Sequence, residues 1–92
     1  MKALSADERA QALRELPGWS HEDDALVRTF ELGSFRRAMA FLVRVGFEAE
    51  SLDHHPEIHN VYGTVRLRLT THDAGNVVTR RDVALARAID AL

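Results

Sequence analysis

A proline at position 56 separates the longest helical pattern of the chain from its clearest strand pattern. Along residues 35–52, apolar side chains recur every three or four positions, and Ser34 is placed to cap the N-terminus. This pattern predicts an amphipathic helix that ends at about residue 52 or 53. Pro56 has no amide proton to donate and favours an extended conformation for His55. The chain must therefore leave the helix here and continue as an extended segment.

Two strands are predicted after the proline. Residues 58–62 have strand propensity, and Gly63 is suited to a tight turn with a positive φ. From Thr64 onward, side chains alternate between two faces. One face holds Val65, Leu67, Leu69 and Thr71, and the other holds Arg66, Arg68, Thr70 and His72. The two strands form a predicted β-hairpin.

The remaining elements flank this centre. Ser5 and Glu8 are spaced as a capping box that begins a first helix, which ends at Pro17-Gly18. Residues 19–21 and 25–32 predict a second hairpin, with Trp19 as a core aromatic. Thr79 and Asp82 are spaced as a second capping box, which begins a last helix. The buried face of this helix holds Val83, Ala86 and Ile89.

The order α-β-β-α-β-β-α predicts a single α+β domain over residues 1–92. We expect a four-stranded antiparallel sheet with three helices packed on one face.

Composition excludes several classes of function. The 92 residues carry 12 basic and 14 acidic side chains, for a formal charge of -2, so electrostatic nucleic-acid binding has little support. The absence of cysteine excludes disulfides and thiolate chemistry. No apolar run has membrane-spanning length and no signal-peptide pattern is present, so we expect a cytoplasmic protein.

Three of the five histidines lie in two short segments, Asp53-His54-His55-Pro56 and Thr70-Thr71-His72-Asp73. A hairpin turn centred on Gly63 and Thr64 would place His72 opposite His55, and a one-residue change of register would place it opposite His54. Imidazoles accept and donate protons near neutral pH, so this group suits general acid–base chemistry. The alternatives are a solvated histidine at a strand end and a cation that caps the preceding helix.

Other chemistries have less support. Zinc binding by His54, His55, His59 and His72 would require adjacent histidines to chelate one ion, and no HExxH pattern is present, so we expect no metal. A nucleophilic-serine elbow and a glycine-rich phosphate loop are also absent. The capping position of Asp82 explains that acid as a helix cap, whatever else it does.

The spacing of these residues resembles the signature of the pterin-4a-carbinolamine dehydratase family. The matching positions are Glu50, His54-His55-Pro56, Tyr62, His72 and Asp82. Comparable features at Gly18-Trp19, Phe35-Arg36-Arg37-Ala38 and Asn60-Val61-Tyr62 extend the resemblance over nearly the whole chain. The resemblance implies the same four-stranded fold. It also implies a lyase that dehydrates 4a-hydroxytetrahydropterin to quinonoid dihydropterin in tetrahydrobiopterin recycling, with no cofactor.

The resemblance implies roles for individual residues. His54, His55 and His72 are the expected catalytic set, with His55 and His72 carrying most of the proton transfer and His54 supporting it. The expected pterin contacts are Asp53, Pro56, Thr70, Thr71, Asp73 and Asp82. Many relatives carry bulky aromatics where this chain has Ile58-His59, so we expect a changed wall beside the site. Gly63 replaces a common asparagine, and both residues tolerate turns.

The resemblance further implies partners. The family associates as dimers or tetramers, so we expect a homodimer or homotetramer, with no direct nucleic-acid or membrane partner. The resemblance also makes an aromatic amino-acid hydroxylase a candidate partner in the same pathway. The rival hypothesis is a non-catalytic binding protein or dimerisation cofactor of a regulatory protein, because a fold alone does not dictate catalysis. The complete set of histidines favours the enzyme.

Overall fold

An antiparallel sheet with the strand order β1-β2-β4-β3 carries three helices in the computed structural model, which describes residues 1–92. The predicted order of elements and the fold class are confirmed. The elements are α1 (Ala6–Arg14), β1 (Ser20–Glu22), β2 (Ala25–Glu31), α2 (Phe35–Ser51), β3 (Glu57–Val61), β4 (Thr64–Leu69), a short 3₁₀ turn (His72–Ala74) and α3 (Arg80–Asp90). No helix is long and apolar enough to cross a membrane.

Side chains predicted to cap the helices do so. Ser34 Oγ accepts from the Arg37 amide at the start of α2. At the start of α1, the Ser5 amide donates to Glu8 Oε1 over 2.8 Å, and the Glu8 amide donates to Ser5 Oγ. The bond from the Ser5 amide to the Glu8 carboxylate, and after it the Ser5 hydroxyl beside that carboxylate, hold the pKa of Glu8 below its ordinary value. The cap therefore contributes at neutral pH and is lost as the pH falls through that lowered pKa.

The core lies between the sheet and the helices. Leu26 of β2 pairs with Leu69 of β4, and both are almost fully buried against the helices. Val45 of α2 and Ala86 of α3 close the other side of the same core. Trp19 is 5% exposed, which confirms the predicted core aromatic. This apolar layer fixes the positions of α2 and α3 relative to β4.

The predicted centre of the hairpin formed by β3 and β4 is wrong. Val61 pairs with Thr64, so the two turn residues are Tyr62 and Gly63. Tyr62 has the positive φ, at 52°, and Gly63 does not. A Cβ on residue 63 would lie 2.7 Å from the Ser34 amide nitrogen, so close approach to the backbone, rather than a positive φ, requires glycine there.

This register changes the predicted position of His72. The ladder begins at Glu57 paired with Arg68, so His72 is not opposite His55 or His54. Strand β4 ends at Leu69, and His72 lies in the 3₁₀ turn that follows. The alternation of side chains along β4 therefore does not reach His72, and the predicted strand face of His72 is wrong. Thr71 instead forms a bridge with Val77, which turns the chain toward α3.

We expect Asp90 to be a main stabilising residue of the C-terminal helix. Its Oδ1 accepts from Trp19 Nε1 over 2.9 Å and from Arg28 Nη1 over 2.8 Å. Asp90→Ala leaves both donors without a partner, so the free energy of unfolding should fall by about 1–3 kcal/mol in urea denaturation. Asp90→Asn retains an acceptor oxygen and should lose less. Equal losses in the two variants would contradict this role for the hydrogen bonds.

Candidate functional site

The segments that carry the predicted histidines meet at a polar cleft of about 240 Å³. The end of α2, the segment after β4 and the first turn of α3 form its walls. The lining residues are Asp53, His54, His55, Thr70, Thr71, His72, Asp73 and Arg81. No apolar side chain lines the cleft, so it suits a polar ligand.

His54 is held from below by a buried acid. The side chain is 7% exposed, and its Nε2 lies 2.5 Å from Oδ1 of Asp82, which is fully buried. Oδ2 of Asp82 accepts from Thr71 Oγ1 over 2.8 Å and from the Thr79 amide over 2.9 Å. A carboxylate has no proton to donate, so in this contact the imidazole proton of His54 lies on Nε2. Because no buried side-chain nitrogen lacks a partner, Nδ1 of His54 reaches solvent.

The other two histidines are exposed and also held at one nitrogen. Nε2 of His55 lies 2.8 Å from Oε1 of Glu50, which lies in the last turn of α2. Nδ1 of His72 lies 2.9 Å from Oδ1 of Asn76. Asn76 follows Gly75, and both have positive φ angles, which folds the loop back on His72. The free nitrogens are Nδ1 of His55 and Nε2 of His72.

All three imidazoles are therefore hydrogen-bonded in the same way. Each has a ring nitrogen paired with an acceptor of the chain and a second nitrogen without a partner in the chain. A neutral imidazole held in this way presents an acceptor, and the protonated form presents a donor. The cleft can thus both take and give a proton at one bound molecule.

Arg81 lines the cleft but was not predicted. Its Nη2 donates to the backbone carbonyl of Asp53 over 2.5 Å. Asp53 has a φ of 50° and ends α2, so this bond fixes the turn that presents the two adjacent histidines. The sequence offers one signal, because Arg80 and Arg81 occupy the first turn of α3, where the helix dipole favours acids.

Several predicted site residues lie outside the cleft or offer it no free polar group. Asp82 is beneath the cleft, with both oxygens occupied by donors of the chain. Thr71 touches the cleft but is 1% exposed, and its hydroxyl is already bonded. Pro56 does not line the cleft. Ile58 and His59 lie on β3 and are not part of the wall.

Among the other predicted contacts, Thr70 lines the rim, where its hydroxyl donates to the Asp24 carbonyl. Tyr62 is 80% exposed at the far end of the hairpin. No group of three histidine or acidic side chains is arranged to hold a metal ion.

The fold and cleft define a small α+β protein with histidines suited to acid–base chemistry. Residues 2–92 match the family model described as pterin 4 alpha carbinolamine dehydratase, and the chain belongs to this family. It is 59% identical over 80 residues to a "Putative pterin-4-alpha-carbinolamine dehydratase" of Opitutus terrae, covering 87% of this chain and 82% of the relative. A relative of the same name from Rhodopseudomonas palustris is 52% identical over 94 residues, covering 100% and 92% of the two chains.

Two solved structures are similar to this one. A transcriptional coactivator/pterin dehydratase from Brucella melitensis has a TM-score of 0.92 and 39% identity, covering 98% of this chain and 97% of its own. A pterin dehydratase-like RuBisCO assembly factor of the alpha-carboxysome has a TM-score of 0.63 and 24% identity, covering 79% and 83%. The second likeness shows the fold alone.

A comparison of the acids in the two capping boxes, Asp82 and Glu8, tests how much the buried contact between His54 and Asp82 stabilises the fold. Asp82→Ala leaves His54, Thr71 and the Thr79 amide without their acceptor in the interior. We expect the free energy of unfolding to fall by about 3–5 kcal/mol, as measured by chemical denaturation. Glu8→Ala removes the equivalent acid from the exposed box of α1 and should have a much smaller effect. Similar losses would mean that Asp82 acts only as a helix cap.

Proposed function

We propose that this protein dehydrates 4a-hydroxytetrahydropterin to quinonoid dihydropterin and water, as a 4a-hydroxytetrahydrobiopterin dehydratase. The observation that carries the proposal is the set of three imidazoles with one anchored and one free nitrogen each, grouped at a single polar cleft. Membership of the dehydratase family supports the choice of substrate.

The reaction needs two proton movements, and the histidines suit both. The C4a–O bond breaks as a general acid protonates the departing hydroxyl, and the C4a=N5 bond forms as a general base removes the N5 proton. We assign these steps to His55 and His72, whose side chains are exposed. After one turnover the two have exchanged protonation states, and exchange with water resets them. His54 binds the substrate and supports the transfer from below.

The acidic rim suits the polar edge of a pterin. Asp53 and Asp73 line the cleft together with the histidines. We propose that their carboxylates accept hydrogen bonds from the amino group and ring N–H of the pterin, with Thr70 beside them. Pro56 contributes by setting the turn in which His55 lies. In the cell, the reaction would recycle tetrahydrobiopterin in the cytoplasm after an aromatic amino-acid hydroxylase.

The activity is tested by following loss of the 4a-carbinolamine absorbance. The purified protein should accelerate the loss, and His55→Ala or His72→Ala should slow it by about 10²–10⁴-fold, the usual range for general acid–base groups. His59→Ala is the matched control, because His59 is exposed and outside the cleft. A wild-type rate equal to that of buffer would refute the proposal.

We also propose that the protein is a homo-oligomer that pairs through α2. The helix buries Ala38, Val45 and Ala49 against the sheet, and a second apolar face remains exposed. On that face Val43 is 59% exposed and Phe47 is 71% exposed. Exposed apolar patches of this kind mark association surfaces.

The second face of α2 is complementary to itself. Along it lie, in order, Arg36, Met39, Val43, Phe47 and Glu50. The spacing is symmetric about Val43, so an antiparallel copy brings Arg36 against Glu50 of the partner and Met39 against Phe47 of the partner. Opposite charges then meet at both ends of an apolar stripe. This complementarity favours a second copy of the chain as the occupant, ahead of a regulatory protein.

Charge exchange tests the pairing. Arg36→Glu should reduce the oligomer to a smaller species in sedimentation velocity, because it places acids of the two copies together. The double variant Arg36→Glu/Glu50→Arg should restore it. Arg37→Glu changes the neighbouring residue, about 100° around the helix, and should have no effect. A monomeric wild type, or one that associates only with a regulatory protein, would refute the proposed self-pairing.

A further inference from the structure

Two threonine side chains lie in the interior beneath the histidine cleft. Thr71 is 1% exposed and Thr79 is fully buried, and their Oγ1 atoms are 2.6 Å apart. Burying a hydroxyl is unfavourable unless it is hydrogen-bonded, so each of these groups must have a partner. Their hydrogen bonds connect them, through Asp82, to His54.

Only one assignment of donors and acceptors fits these hydrogen bonds. A carboxylate only accepts, so the single hydroxyl proton of Thr71 goes to Oδ2 of Asp82 over 2.8 Å. The proton of the Thr79 hydroxyl must then go to Oγ1 of Thr71. Oγ1 of Thr79 in turn accepts from the Arg81 amide over 3.2 Å. Every hydroxyl in this chain of bonds is fully used.

We infer that Thr71 and Thr79 are positioning residues for His54. Together with the Thr79 amide, they hold Oδ2 of Asp82, which leaves Oδ1 directed at Nε2 of His54. The imidazole is thereby fixed in one orientation and one tautomer, with Nδ1 open to solvent. Thr71 acts through Asp82 and not through contact of its hydroxyl with the substrate.

The arrangement joins three elements that are distant in sequence. Thr71 follows β4, Thr79 and Asp82 begin α3, and His54 follows α2. One carboxylate therefore serves as the helix cap of α3 and as the partner of the histidine. The position of the imidazole depends on the two hydroxyls that aim this carboxylate.

The catalytic readout of this inference rests on the proposed dehydratase activity. Thr71→Val keeps the shape of the side chain and removes the hydroxyl. We expect kcat/KM to fall about tenfold, because a misaligned His54 both holds the substrate less well and supports the proton transfer less well. Thr71→Ser restores the hydroxyl and should recover most of kcat/KM. Thr29→Val, on the exposed part of β2, is the matched control.

A spectroscopic measurement tests the same inference without activity. The Nε2 proton of His54, in a 2.5 Å bond to Asp82, should give a far-downfield proton resonance. The resonance should move in Thr71→Val and in Thr79→Val, and should stay in place in Thr71→Ser and Thr29→Val. The assignment is made by its loss in His54→Gln. If one valine variant does not fold, the other provides the comparison.

The outcomes separate the two proposals. A raised KM in Thr71→Val while the His54 resonance stays in place would make Thr71 a direct substrate contact and overturn the inference. An equal loss of kcat/KM in the valine and serine variants, or a resonance that does not move in either valine variant, would also overturn it. A wild type without turnover would refute the dehydratase activity, and the resonance would still test the hydrogen-bonded chain.

Discussion

The buried contact between His54 and Asp82 is the interaction on which the site depends. Burying an acid and an imidazole is unfavourable unless each is fully hydrogen-bonded, and here three donors surround the carboxylate. The same contact ties the end of α2 to the start of α3. Because α2, α3 and β4 also contact one another, the two helix ends and the segment after β4 converge. The cleft is the surface above that convergence.

The fold could be predicted because local signals agreed with one another. Both capping boxes, the Ser34 cap and the break at Pro56 are short-range features that do not depend on tertiary packing. They located the starts of all three helices. The two-residue turn at Tyr62 could not be located in this way, because it depends on contact between Gly63 and the backbone at Ser34. That contact joins residues that are far apart in sequence.

His54, His55 and His72 line one cleft, as predicted, although the argument that joined them was wrong. Strand register does not bring His72 to His54, since β4 ends before it. What brings them together is the Thr71–Val77 bridge and the buried acid below. Spacing within a family signature contains this information implicitly, whereas hairpin geometry does not. Of the anchoring groups, Asn76 lies in a loop that sequence periodicity does not describe, and Arg81 lies on α3 but bonds to the backbone turn at Asp53.

The exposed face of α2 links association to the chemistry. Glu50 accepts from His55 within the chain, and the proposed pairing brings Arg36 of the partner to the same carboxylate. A carboxylate can accept several hydrogen bonds, so both contacts can form at once. The guanidinium would then fix Glu50, and Glu50 would fix His55, which is 60% exposed in the single chain. His54 is held by the interior of its own chain, whereas His55 would acquire its rigidity from a second copy.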